Sequence, residues 1–222
     1  METAKSLVQL DWTPQNLIGI QRALRLAYNA VADACDPKRH AFYDTPNRPY
    51  GIGYNRWLAV EYHLHQACNA GWIQGIAAHW VSLGGKAGTP ISTLELRGLH
   101  TSVLALHLRE QDELPRDSGY RYDQRVNNEK YPLLTGFVDP HESPQASTQL
   151  LNLLLIHGDK NAEFAELRAY DDPENRASFT TFTENIMAGA ALPASGDNEP
   201  ISEPNVALIQ GVADQKKPST GA

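Results

Sequence analysis

The chain has 222 residues, 41% of them apolar, and 26 Asp+Glu against 19 Lys+Arg give a net charge of -7. That is enough length and apolar content for one domain with a real core, and it excludes collagenous, coiled-coil and disulfide-framework architectures. The charge is uneven: residues 1–158 hold 14 Lys+Arg and 15 Asp+Glu, and residues 159–222 hold 5 and 11, so a nucleic-acid surface would have to come from a local Arg cluster.

The longest stretch without Asp, Glu, Lys or Arg, 62–85, contains His, Gln, Asn and Gly, which argues against a membrane span. The first residues lack a basic segment followed by an apolar one, so no secretory leader is expected. Cys35 and Cys68 both sit in apolar helical patterns, which predicts buried free thiols and a cytoplasmic setting.

Thr13-Pro14 sets an N-cap with Pro at the first helical position. Leu17, Ile20, Leu24, Ala27, Val31 and Ala34 then recur at helical spacing until Asp36-Pro37, predicting an amphipathic helix with Arg22, Arg25 and Asn29 on its solvated side. Residues 36–55 read as a Pro-, Asn-, Tyr- and Arg-rich loop, long enough either to carry function or to wrap the surface. A second helix is expected from Asn55 as N-cap to Gly71 as the residue past its end, with Trp57, Val60, Leu64, Ala67 and Cys68 on one stripe. Segments 76–83, 91–100 and 102–109 read as strands, the first two joined by a Gly-rich turn. Residues 110–148, broken by four prolines and interleaved with Arg and Tyr, are expected to hold at most one short helix near 121–130. Strands at 150–157, 162–170 and 178–186 then form a meander. The fold class predicted is α+β: two N-terminal helices packed on a mixed, mainly antiparallel sheet, in one domain over 1–187. The acidic, Pro- and Ser-rich tail at 188–222 offers little to bury and is expected to be disordered.

Three groups of residues are candidates for chemistry. Glu61 and His65 stand four apart on one helical face, a spacing that suits a shared metal or a proton-transfer pair, as well as a plain hydrogen bond at the core margin. A divalent metal would need further ligands, and His79, His100, His107 and His157 are available on strands, although no two His have a zinc-site spacing. Gly51 and Gly53 beside Arg56, at the expected helix entry, combine a pliable backbone, a helix N-terminus and a guanidinium, the elements of an anion site. Arg48 and Arg121, with the Tyr residues of 116–131, add charge and stacking for a nucleotide or a single strand.

Glu61 on a helix, followed by a hairpin bearing Glu95-Leu96-Arg97, resembles the layout of PD-(D/E)xK nucleases, in which a helix glutamate precedes a hairpin acid followed two residues later by lysine. The resemblance implies Glu61 and Glu95 as catalytic carboxylates and Arg97 in the lysine position. Arg97 itself, and the lack of Asp or Glu between Glu61 and Glu95, make the scaffold a degenerate one, and whether the chain is an enzyme stays open. Two functions are therefore expected: a cytoplasmic domain that binds nucleic acid or a phosphorylated ligand, or a non-enzymatic protein-interaction or assembly protein.

Overall fold

A computed structural model describes residues 4–83, 91–115, 119–129, 150–158, 161–172, 174–175 and 177–188. The Gly-rich turn expected at 84–90, much of the 110–148 excursion and the tail from 189 onward lie outside the described residues. The class is α+β. The helices are α1 (Ala4–Asp11), α2 (Pro14–Ala34), α3 (Arg48–Asn69) and α4 (Gly119–Glu129). One six-stranded sheet runs in the order β1 (Ala77–Leu83), β2 (Ile91–Arg97), β3 (Thr101–Leu108), β4 (Leu151–Gly158), β5 (Phe164–Tyr170) and β6 (Phe179–Thr181). All neighbours are antiparallel except β3 and β4, which run parallel.

The sheet is therefore two antiparallel meanders, β1–β2–β3 and β4–β5–β6, joined along one parallel seam, and α4 lies in the connection between them. Both faces of the sheet carry buried apolar residues. Leu94, Leu96, Val103, Leu153, Leu155 and Leu167 bury one face under α1, α2 and α3, while Leu104, Leu108, Leu154, Ile156, Phe164 and Tyr170 form a smaller cluster on the other. On that second face the Arg125 guanidinium of α4 lies 5.4 Å from the Tyr170 ring centroid. Alternation explains the arrangement, because paired residues such as Leu96 and Val103 point to the same side.

Thr13 caps α2 as its sequence requires, its side chain accepting the Asn16 N–H at 3.3 Å. Ile20, Leu24, Ala27 and Val31 are buried along the expected stripe. The two expected N-terminal helices are preceded by the shorter α1. Its last residue, Asp11, accepts the backbone N–H of His100 at 2.9 Å and the Thr101 hydroxyl at 2.7 Å, and Trp12 Nε1 donates to the same hydroxyl at 2.9 Å. A Cβ on Gly98 would meet the Asp11 carboxylate at 2.3 Å, so the glycine admits this anchor.

The start of α3 corrects the sequence reading. The helix begins at Arg48, with Pro49 in its first turn, rather than at Asn55, so Gly51, Gly53 and Arg56 lie inside it. Two interior glycines cost about 1 kcal/mol each relative to alanine, and local packing offsets that. The Tyr43 ring lies against Gly51, where a Cβ would stand 3.0 Å away. Instead of capping, the Asn55 side chain bonds Tyr43 Oη and Cys35 Sγ. Residues 36–47 are mostly exposed and are pinned through Tyr43 to the helix they precede. Both cysteines are free, Cys35 buried and Cys68 half-buried.

Candidate functional site

In β3 the positions facing the three helices read Thr101, Val103, Ala105 and His107; in β4 they read Leu151, Leu153, Leu155 and His157. The strands pair in parallel over eight positions, from Thr101 opposite Leu151 to Leu108 opposite Gly158, so His107 and His157 are direct partners. Each central strand ends an apolar face in an imidazole, at the same level. The carboxyl ends of adjacent parallel strands are where open α/β sheets place ligands. Among the described strands, β3 and β4 are the one such pair.

Two helices close over these imidazoles. Tyr28, one turn beyond Leu24 on α2, places its hydroxyl 3.0 Å from His157 Nδ1, with the rings edge-on at 5.9 Å. Arg56, one turn before Val60 on α3, places Nη1 2.7 Å from His107 Nε2 and its guanidinium carbon 4.7 Å from the Tyr28 ring centroid. The two imidazoles are 5.6 Å apart, edge to face. Because arginine only donates, His107 Nε2 must accept, which puts the imidazole proton on Nδ1.

The electrostatics follow from burial. His157 is 2% exposed, and loss of water, then His107, then Arg56 push its pKa down to about 3. His107 is pushed down to about 4 by burial first and then by Arg56 and Arg109, with Glu113 opposing. Both imidazoles are neutral at pH 7. Arg56 is half-buried, and among the described residues no carboxylate lies within salt-bridge distance of it. Its Nε is buried without a hydrogen-bond partner. Among the described residues the groups in contact here are a cation, two neutral imidazoles and a phenol, with the Glu113 carboxylate near enough to act on His107.

The residues singled out from sequence fare differently. Glu61 is buried, and its Oε1 accepts the Thr93 hydroxyl and, at 3.0 Å, the backbone N–H of Leu94. The β2–β3 ladder covers only Glu95–Leu104, Leu96–Val103 and Arg97–Ser102, so Glu61 takes the place of a strand partner just past its end. His65 instead bonds Asn69 at 3.3 Å and lies 6.0 Å from the Trp80 ring. Glu61 and His65 thus form no pair with each other, because each has been claimed by a different neighbour. Glu95 bonds Ser102 and Arg97 and shares no partner with Glu61. Among the described residues no group of three His, Cys, Asp or Glu is placed to hold a metal.

The arginines do not converge. Arg48 is exposed at the start of α3, Arg97 pairs with Glu95 near the far end of the sheet, and Arg121 belongs to α4 on the opposite face from Arg56. With Gly51 and Gly53 helical, the anion site expected at a helix entry is not formed, and Arg56 lies in the third turn of α3. Sequence reasoning named His107 and His157 only as available imidazoles and passed over Tyr28. The signal lay in the two strands, each ending an apolar alternation in His.

Among the described residues no helix is long and apolar enough to cross a membrane. Compared with known families, curated proteins and solved structures, the chain matches none.

Glu61 gives the first testable expectation. Glu61→Ala leaves the Leu94 N–H and the Thr93 hydroxyl without their acceptor and should cost about 2–4 kcal/mol, whereas Glu61→Gln, which keeps an acceptor oxygen, should cost about 1 kcal/mol. Denaturant melts with and without Mg²⁺ decide between strand partner and catalytic carboxylate. Metal-dependent stabilisation of the wild type that Glu61→Gln removes would restore the catalytic reading.

Proposed function

We propose that this chain is a binding domain for a phosphate-bearing ligand, a nucleic acid or a phosphorylated molecule, with Arg56 anchoring the phosphate above the ends of β3 and β4. The supporting observation is the counter-ion deficit of Arg56, a half-buried guanidinium with a buried unpartnered Nε and, among the described residues, no carboxylate within salt-bridge distance. A half-buried charge without a counter-ion is costly, and an incoming anion lowers that cost. Guanidinium is also the side chain best matched to phosphate oxygens. His107 Nδ1–H is a neutral donor beside it. Imidazoles whose pKa values lie near 3 and 4 carry almost no transferable proton at pH 7, so the arrangement suits binding better than acid catalysis.

Calorimetric titration with inorganic phosphate and with a 5′-phosphorylated oligonucleotide is the direct test. Arg56→Ala should lower either affinity at least tenfold, and binding should weaken as salt rises. The same substitution also removes the 2.7 Å bond to His107 Nε2 and the contact with the Tyr28 ring, so the melting temperature is measured beside the affinity. A wild type that binds neither probe at millimolar concentration would refute the proposal, as would an Arg56→Ala chain that loses stability but no affinity.

A further inference from the structure

Among the described strands, β1 and β6 are the two ends of the sheet, and the two edges are built differently. β6 has three residues, and a strand that short offers little to pair with. β1 has seven, matched one for one with β2 from Ala77–Arg97 to Leu83–Ile91, so no bulge interrupts it. It contains no proline and no charged side chain, and residues 62–85 as a whole carry no Asp, Glu, Lys or Arg. Exposed edges are normally defended by charge, proline, a bulge or short length; β1 has none of these. His79 and Ser82 are exposed and Trp80 is 53% exposed. The direction of the backbone groups of β1 follows from β2. The Leu94 N–H goes to Glu61 at 3.0 Å and the Gly98 N–H to the Thr101 carbonyl at 2.9 Å, which puts the even-numbered groups of β2 on the side of β3 and the odd-numbered ones on the side of β1. Ala77, His79 and Val81, opposite Arg97, Glu95 and Thr93, are thus the residues that bond β2. Ala78, Trp80 and Ser82 turn their N–H and C=O groups outward.

We infer that β1 pairs antiparallel with β1 of a second copy of this chain, about a two-fold axis at Trp80, joining the two sheets into one. Three outward-turned residues centred on Trp80 are self-complementary. Trp80 exchanges both of its backbone bonds with Trp80 of the second copy, and Ala78 exchanges both with Ser82 of the second copy on either side of the axis, about six bonds in all. Trp80 lies opposite Leu94 on the face that the helices cover, so the two Trp80 rings meet there, each backed by a His65 ring 6.0 Å away. On the other face His79 comes opposite Val81 of the second copy. A two-fold interface sets groups on the axis against themselves, so a charge at its centre would repel its own image; the charge-free stretch 62–85 meets that condition. It also gives a charged peptide nothing to recognise, which is why a second copy is the occupant. Seven residues a side fall below the roughly 20–30 of a standard interface, so the dimer is a reversible one that forms as concentration rises. This inference does not rest on the reading of Arg56.

Sedimentation equilibrium of the full chain from about 1 to about 500 μM, a range that covers weak reversible association, is the experiment. The wild type should pass from monomer to dimer and stop there, because β6 is too short to extend the sheet. Ser82→Pro removes an outward N–H that β2 does not use, a place where an edge strand tolerates proline, and should weaken dimerisation about tenfold or more in a chain that still melts cooperatively. Trp80→Lys and Trp80→Glu each set like charges opposite one another and should each be monomeric, whereas an equimolar mixture of the two should recover the dimer. Only an interface in which position 80 meets itself gives that recovery. A wild type that stays monomeric throughout overturns the inference and leaves the edge to a foreign strand. A dimer indifferent to both Ser82→Pro and Trp80→Lys uses another surface and overturns it too, as does a mixture of folded Trp80 variants that stays monomeric. Should one variant fail to fold, judged by its melt, the other decides.

Discussion

Acidification from pH 7.5 to pH 5 should cost the folded chain on the order of 2 kcal/mol for each of His107 and His157. In the fold these imidazoles stay neutral until about pH 4 and about pH 3 respectively, whereas in the unfolded chain they take up protons near pH 6.5. Between those limits the unfolded state binds more protons, so stability rises with pH, is complete above about pH 6.5 and is lost progressively below it. His63 on α3, its pKa also lowered by burial, adds to the same slope. The pair is therefore isolated by comparison with the His107→Gln, His157→Gln double variant, whose side chains titrate in neither state. Denaturant melts at half-unit steps across that interval measure it. A wild-type midpoint that stays flat from pH 7.5 to pH 5, or a double variant with the wild-type slope, would mean that the imidazoles are not held neutral by their surroundings. A bound phosphate opposes the effect, because an anion at Arg56 favours the imidazolium forms.

Gly158→Ala should destabilise the chain by about 3 kcal/mol or more. The residue follows His157 at the end of β4, and a Cβ there would stand 1.9 Å from the backbone oxygen of Leu108 and 2.5 Å from Phe164 Cζ. The ring can turn aside. The carbonyl cannot, since Leu108 belongs to β3, the direct parallel partner of β4, and relief requires prising the two central strands apart at the level of the histidines. Overpacking a close contact typically costs about 1–3 kcal/mol, and backbone against backbone lies at the top of that range. For a domain of this size that corresponds to a fall in melting temperature of roughly 6–12 °C. A change of less than two degrees would show that the strands part there without penalty.

How much of this could be read in advance depended on the range of the interaction. The cap at Thr13, the stripe of α2 and the alternation in β2 and β3 are local patterns, and they reappear in the structure within a few residues of their expected bounds. The entry of α3 was misjudged because Gly51, Gly53 and Asn55 have strong intrinsic preferences, and tertiary partners in the preceding loop, Tyr43 and Cys35, overrode them. The site was harder still. Glu61 and His65 looked paired because helical spacing is visible in one dimension. The position of Leu94 N–H past the end of a short ladder, which gives Glu61 its partner, is not. His107 and His157 are fifty residues apart, and nothing short of the parallel register places them side by side.

That register also fixes when the site can come into being. Each meander closes through neighbours close in the chain, and each carries one of the two histidines. Their meeting waits on closure of the connection across residues 109–150, whose length contributes about 3 kcal/mol of chain entropy and whose reward comes only when the long-range pairing is made. A half-folded chain, with either meander complete, holds one imidazole and no site. Under the phosphate-anchor proposal, recognition at Arg56 would require both halves of the sheet to have been joined, because only then do the two imidazoles lie side by side.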